Sequence, residues 1–385
     1  MAINACRSNT KRSRFALLLL LGVAQGACSD ASEGTTRRSS TSEPVTVSGR
    51  ADCADCAVEL VTIAVLGDPE DEASIRADAP VAGCMVGVPG DSTYIVSGLV
   101  GGGQLLEYDS EGRAKTYIGR KGQGPDEFGS NLRLIASRDT LFVLDISLGR
   151  MAVTDRSGRF LRTFRLPVRV HSVDRLASGH FLLHGRPVSS DDGSPLFRVL
   201  DEQGVEAAAF GSPSPRFGEK DQWVISARAD SGFLAARMWE YEIYRGTEGG
   251  DLALYITRRA DWFPTGSAWN EKILVTDPPP PLVTHVREDA SGLVWTFVTV
   301  ADQEWSAEIP NPGSVEWFRD SFDTIVEVID PRQGRILATT RFDDWIAPVC
   351  GSENVYSVVS DTSGDTRTVV FRPRLRTGLG NSASR

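Results

Sequence analysis

All eight tryptophans of this 385-residue chain fall between Trp223 and Trp345. Four of them, Trp262, Trp269, Trp305 and Trp317, sit in two stretches, residues 257–282 and 299–322, that interrupt an otherwise regular pattern. Indole faces stack on sugar rings and peptide backbones, so this set predicts an aromatic platform for a glycan or a peptide. The alternative reading is that each long loop needs a small core of its own and tryptophan fills it. Arg258 and Arg259 stand at the head of the first stretch and join the candidate contacts. Arg120 and Lys121 join them from the glycine-rich run GRKGQGPDEF, where they put positive charge on an acidic chain. Two partners compete for them, an anionic ligand and the nearby carboxylates of Asp126 and Glu127. Pro125 follows the glycines and no helix begins there, so the run lacks the helix N-terminus that a phosphate cradle needs.

Other chemistries leave less trace. The histidines are His171, His180, His184 and His285. His180 and His184 share one face of a strand but stand roughly 13 Å apart, too far to chelate one ion. No Gly-x-Ser-x-Gly run occurs, and spacing ties no serine or cysteine to a histidine and a carboxylate. The sequence therefore points to no catalytic residue, no metal ligand and no cofactor.

The elements that would position these groups come from a recurring turn. Asp109-Ser110-Glu111-Gly112-Arg113 is answered by Asp155-Arg156-Ser157-Gly158-Arg159, by Asp201-Glu202-Gln203-Gly204, more loosely by Thr247-Glu248-Gly249-Gly250, and by Asp330-Pro331-Arg332-Gln333-Gly334. The glycines at 112, 158, 204 and 250 are 46 residues apart, a period that signals a repeat architecture. The aspartate can accept a hydrogen bond from the backbone two residues on, and the glycine supplies the positive φ of the hairpin loop. Apolar and β-branched runs flank each turn, as in residues 150–154 and 160–164, and read as paired antiparallel strands.

A second hairpin joins the first and second strands of each unit, at residues 90–94, 137–141, 177–181, 230–233, 290–293 and 352–356. Six such hairpins predict an all-β, six-bladed β-propeller with four-stranded antiparallel blades over residues 53–376. The last unit has three strands. The run Val58 to Leu66 is expected to supply the fourth, so that an N-terminal strand closes the ring.

The stretch DTLFVLDISLGRMAVTDRSGRFLRTF, Asp139 to Phe164, resembles an NHL repeat: a strand ending in Asp, a short loop, Arg, an apolar strand, then the Asp-x-x-Gly-Arg turn. GRKGQGPDEF is similar to the inter-blade linker of that class. From about Cys53 to Leu375 the chain resembles six-bladed propeller lipoproteins of the NHL-like class, a resemblance that implies the fold and leaves function open. A non-enzymatic ligand-binding or scaffold module is the expected role. The competing reading is a metal-dependent propeller enzyme, a lactonase or lyase whose site is the central channel.

Composition sets the location. Residues 1–27 carry Arg7, Lys11, Arg12 and Arg14, no acid, and the apolar run Phe15 to Val23, which is too short to span a bilayer and reads as an export signal. AQGAC, Ala24 to Cys28, resembles a lipoprotein cleavage box, with Gln25 where an aliphatic residue is usual; it implies lipidation of Cys28 and an outer-membrane anchor on the periplasmic or cell-surface side. Residues 28–52 read as a flexible tether and 377–385 as a disordered tail. Exported cysteines tend to pair: Cys84 with Cys350 is expected to staple the seam between first and last units, and Cys53 with Cys56 to clip a local loop. A redox pair or half a metal site is the opposing reading of Cys53-x-x-Cys56. The net charge of −10 argues against nucleic acid. The partner class expected is a glycan, peptide or protein met by a monomer that touches membrane only through its lipid.

Overall fold

The computed structural model describes residues 43–67, 85–88, 92–97, 103–187, 194–212, 222–230, 232–264, 277–306, 320–360 and 366–378. Within them the fold is all-β with a propeller-like arrangement. Four of the repeat units form separate blades. The second unit pairs Leu132–Ala136, Thr140–Asp145, Arg150–Asp155 and Phe160–Arg165, and the third pairs Val168–Arg175, Phe181–Pro187, Phe197–Leu200 and Glu206–Phe210. The fourth runs Trp223–Ala227, Gly232–Arg237, Glu242–Thr247, Leu252–Arg259, and the fifth Leu282–Glu288, Val294–Ala301, Phe322–Asp330, Arg335–Phe342.

The six separate blades expected from the hairpin count are not what the sheets display. Strands of the first and last units join in one eight-stranded sheet, because Met85–Gly87 and Ala347–Cys350 hydrogen-bond in parallel, Val349 opposite Met85 and Cys350 opposite Val86. At the far edge of that sheet Ala57–Leu66 lies antiparallel to Thr366–Arg376 and supplies the strand the last unit lacked. The apolar residues gather in six clusters, each between consecutive units. One joins Val86, Ile95 and Leu105 to Leu134 and Leu141, and another joins Tyr94 and Leu106 to Val349 and Val370 across the seam.

The recurring turn does the local work its chemistry predicts. Asp109 Oδ1 accepts the amides of Glu111 (3.0 Å) and Arg113 (2.9 Å), and Asp155 and Asp201 repeat the pattern two and four residues on. Gly112 and Gly204 take φ of 79° and 85°. Close approach is a second reason for glycine here. A β-carbon on Gly204 would sit 2.3 Å from the Phe164 ring on the outer strand of the preceding blade, and one on Gly112 would sit 1.8 Å from the carbonyl oxygen of Val65 on the closing strand.

The tether expected over residues 28–52 is corrected in its second half. Val45–Ser48 adds to the outer edge of the fourth blade as a parallel strand beside Ile256 to Arg259, with Val47 fully buried. The segment VTVS alternates β-branched and polar residues, which suits a half-buried edge. From there Asp52 donates to the Ile336 carbonyl (2.9 Å) and the Val58 amide to Thr340 Oγ1 (2.8 Å), both on the outer strand of the fifth blade. Residues 45–66 thus run as a belt from the fourth unit to the last. Cys53 and Cys56 are disulfide-bonded within it. The leader, Cys28 and residues 379–385 lie outside the described residues.

Replacing Gly204 by alanine is expected to cost about 2–4 kcal/mol, from a left-handed backbone at about 1 kcal/mol and the remainder from overlap with Phe164. Urea unfolding reads it as a lowered midpoint, and an unchanged midpoint would show that the close approach is not obligatory.

Candidate functional site

Where the innermost strands face one another they enclose a cavity of about 450 Å³. Arg133 and Ile135 reach it from the second unit, His171 to Asp174 from the third, Gln222 to Ile225 from the fourth, Thr284 and His285 from the fifth, and Cys350 from the last, with Trp345 and Tyr356 behind. Two bulges aim side chains into it. His171 is the extra residue between the pairs Val170–Gly185 and Ser172–His184, and Thr284 the extra residue between Val283–Val298 and His285–Phe297. A bulge inserts one residue and re-aims its neighbours, so both strands present more than alternate residues to the cavity.

Electrostatics in the cavity follow from burial. His285 is pushed down to about 3 by burial and then by the Arg287 guanidinium, and His171 is lowered by burial and then by Arg186 and Arg169. Both imidazoles are therefore neutral near pH 7. His171 Nε2 is buried without a hydrogen-bond partner among the described residues, and its ring lies 5.9 Å from that of His184. Asp174 is raised by burial, against which its oxygens accept the amides of Ala227 (2.7 Å) and Arg175 (2.8 Å). The bond from Ala227 also ties the third unit to the fourth. Among the described residues no three His, Cys, Asp or Glu side chains converge as a metal site.

The residues predicted from sequence are dispersed. Trp269 and Trp317 lie outside the described residues. Trp262 is half-buried edge-on to Tyr241 and Phe263, each at 6.0 Å, as part of the core between the fourth and fifth units. Trp305 is half-buried at the turn where its amide meets the Asp302 carbonyl (3.2 Å). Arg259 is exposed.

Arg258 is corrected from a surface contact to a core residue. Its side chain is 2% exposed and grips Glu327, which is 0% exposed, through Nε (2.9 Å) and Nη2 (2.8 Å). Tyr241 Oη (2.9 Å) and Thr339 Oγ1 (3.1 Å) donate to the same carboxylate, and Arg258 Nη2 also reaches the Gly49 carbonyl (3.1 Å).

On the glycine-rich run, Arg120 and Lys121 are exposed, and Arg120 pairs with Glu127 (3.0 Å) and more distantly with Asp126 (3.9 Å). Glu127 fills the loop's own anion nest. Its Oε2 accepts the amides of Gly124 (2.8 Å) and Gln123 (2.9 Å), which hold its carboxyl below the usual range. Arg150, the arginine of the repeat pattern, donates to the carbonyls of Gln123, Gly124 and Glu127 and fixes the loop from behind. Cys350 is disulfide-bonded, and Cys84, expected as its partner, lies outside the described residues.

Sequence reasoning passed over Arg133, Asp174 and the cavity roles of His171 and His285. The available signal was a polar residue inside the first strand of a repeat unit, where an apolar one would be expected.

No family model matches the chain, and no curated protein matches it in sequence. Solved structures share the fold. A Bacteroides fragilis protein described as exported superposes with a TM-score of 0.57 at 11% identity, over 86% of this chain and 99% of its own. A DUF4221 member from Bacteroides vulgatus superposes at 0.54 and 11% identity, over 84% and 99%. At such identities the likeness establishes the fold alone.

Breaking the buried pair by Arg258→Met is expected to cost about 3–5 kcal/mol, because Glu327 is left charged and buried. Arg258→Met with Glu327→Leu should recover most of that loss in a double-mutant cycle of urea melts. Additive losses would show that the two side chains act independently.

Proposed function

We propose that this protein is an exported propeller that binds a small ligand in its central cavity and acts as a non-enzymatic binding or scaffold module at the cell envelope. The observation that carries this reading is the cavity itself: about 450 Å³, walled by five units, with neutral imidazoles and a buried, unpartnered His171 Nε2. Its volume suits a small molecule. In this reading Trp269, Trp305 and Trp317 join the exposed Arg259 and Lys121 as a rim where a glycan, peptide or protein partner adds contacts.

In this reading the eight-stranded sheet is two blades sharing one hydrogen-bonded seam, which makes the propeller six-bladed. Six inter-unit clusters support that count. A Cys84–Cys350 disulfide staples the same seam, where Cys350 already stands opposite Val86. The leader and the Ala24 to Cys28 box support export and lipidation of Cys28, the likeness to a protein described as exported agrees with export, and the chain works as a monomer.

Two measurements test this. Cys28→Ala should move the protein from the membrane fraction to the soluble envelope fraction, and an unchanged distribution would sink the anchor. A small-molecule screen by thermal shift should return binders that Val224→Trp, which fills the cavity, abolishes while circular dichroism stays native. Binders indifferent to Val224→Trp would move the site to the rim.

A further inference from the structure

We propose that His171 and His285 form a two-point hydrogen-bonding clamp, within the cavity, for a small ring compound that carries two hydroxyl groups. This rests on the reading that the cavity is the binding site and adds the class of ligand it takes.

The first support is where the repeat is broken. In the second and fourth units the inner strand pairs with its neighbour without a shift of register. In the third and fifth, an extra residue interrupts that pairing, His171 in one and Thr284 in the other. Each bulge carries an imidazole, His171 as the extra residue itself and His285 directly after Thr284, and both line the cavity. An extra residue disrupts the ladder locally, so a matching pair of them in the units before and after the fourth points to the groups they aim.

The second support is hydrogen bonding. His171 Nε2 is buried without a partner among the described residues. No described residue hydrogen-bonds the His285 ring either; its neighbour is the Phe297 ring at 5.5 Å. Other polar groups of the same wall are engaged. Thr284 Oγ1 donates to the Phe297 carbonyl (3.1 Å), Ser172 Oγ accepts the Ile225 amide (3.3 Å), and Asp174 accepts the amides of Ala227 and Arg175. A buried nitrogen left unpaired is unfavourable, and a ligand that pairs it recovers that cost.

The third is what an imidazole can pair with. Burial keeps both rings neutral, so each offers one N–H donor and one lone pair. A hydroxyl donates and accepts and so meets either nitrogen, whereas a carboxylate only accepts and an ammonium only donates. The body between the hydroxyls would meet Val173, Val224, Pro348 and Trp345, half-buried side chains that line the same cavity. A compact ring with polar substituents suits that division of the wall.

Isothermal titration of the whole exported chain with resorcinol, m-cresol and m-xylene tests the inference, because these share a shape and carry two, one and no hydroxyl groups. Resorcinol is expected to bind about tenfold more tightly than m-xylene, with m-cresol between them, although transfer from water favours the xylene. The chain has four histidines, so their ring nitrogen resonances can be followed one by one. Those of His171 and His285 should shift on adding resorcinol, while that of His180, which is not on the cavity wall, stays in place. His171→Phe and His285→Phe should each weaken resorcinol about fivefold and not weaken m-xylene. His171→Gln keeps a donor and an acceptor and should retain the preference, which preserves the test if the phenylalanine variants do not fold. Substituting cis-1,3-cyclohexanediol for resorcinol separates a saturated, sugar-like ring from a flat phenolic one, and binding of either through both histidines upholds the clamp. Equal or tighter binding of m-xylene, lost in Val224→Trp, would overturn the clamp and leave the cavity reading standing. A resorcinol affinity indifferent to both phenylalanine variants would do the same. Failure of all four compounds to bind at millimolar concentration would overturn both.

Discussion

The ion pair between Arg258 and Glu327 is the constraint around which the fourth and fifth units are arranged. A carboxylate with no exposed surface is tolerated only when its lone pairs are filled. Arg258, Tyr241 and Thr339 fill them here, from the outer strand of one blade, the turn before the third strand of the same blade, and the outer strand of the next. The guanidinium in turn needs acceptors on its remaining N–H groups, and the carbonyls of Gly49 and Arg259 meet two of them. That is a reason for the N-terminal belt to lie where it does: without Val45–Ser48 beside the fourth blade, a buried arginine would lose one of its acceptors.

The same belt explains how the ring is held shut. Val47 packs into the core between the fourth and fifth units, and Val58 and Leu66 pack into the two clusters that flank the last. One segment therefore contributes to three inter-unit cores before the first repeat begins. A propeller whose units merely stacked would have an open edge at the join, and sheet edges invite wrong pairing. Here the closing strand, the parallel seam between Met85–Gly87 and Ala347–Cys350, and the contact of Gly112 on Val65 address the join together.

What could be read from the sequence was whatever is local. The Asp and Gly of each turn act within five residues, so their spacing announced the repeat and its strands, and the missing strand of the last unit pointed to Ala57–Leu66. The strand Val45–Ser48 escaped notice because its neighbours are serine, threonine and glycine and its partner, Leu252–Arg259, is far away in the chain. Arg258 was misplaced for a related reason: arginine is usually a surface residue, and nothing near it in sequence reveals Glu327. The merging of first and last units into one sheet depends on two residues of parallel pairing, which no pattern encodes. The cavity groups were hidden by the bulges. Strict alternation would turn His171 or its neighbour away, and only the extra residue in each strand brings such groups to the same side.

The charged groups of the glycine-rich loop and those in the cavity have different fates, and the difference bears on where a ligand can gain most. On the glycine-rich loop, Glu127 already occupies the nest of its own loop, Arg120 pairs with it, and Arg150 holds the loop's carbonyls. A ligand there would have to displace contacts that the chain already makes in water, where each exchange gains little. The cavity wall sits on inner strands whose positions are fixed by six inter-unit cores and by side-chain ties such as Asp174 to Ala227. Its polar groups are ordered before a ligand arrives, so the entropy of arranging them belongs to folding and is not charged again on binding. Selectivity of such a site depends on the few groups that burial has left poorly solvated, and among the described residues of this wall the unpartnered nitrogen of His171 is one.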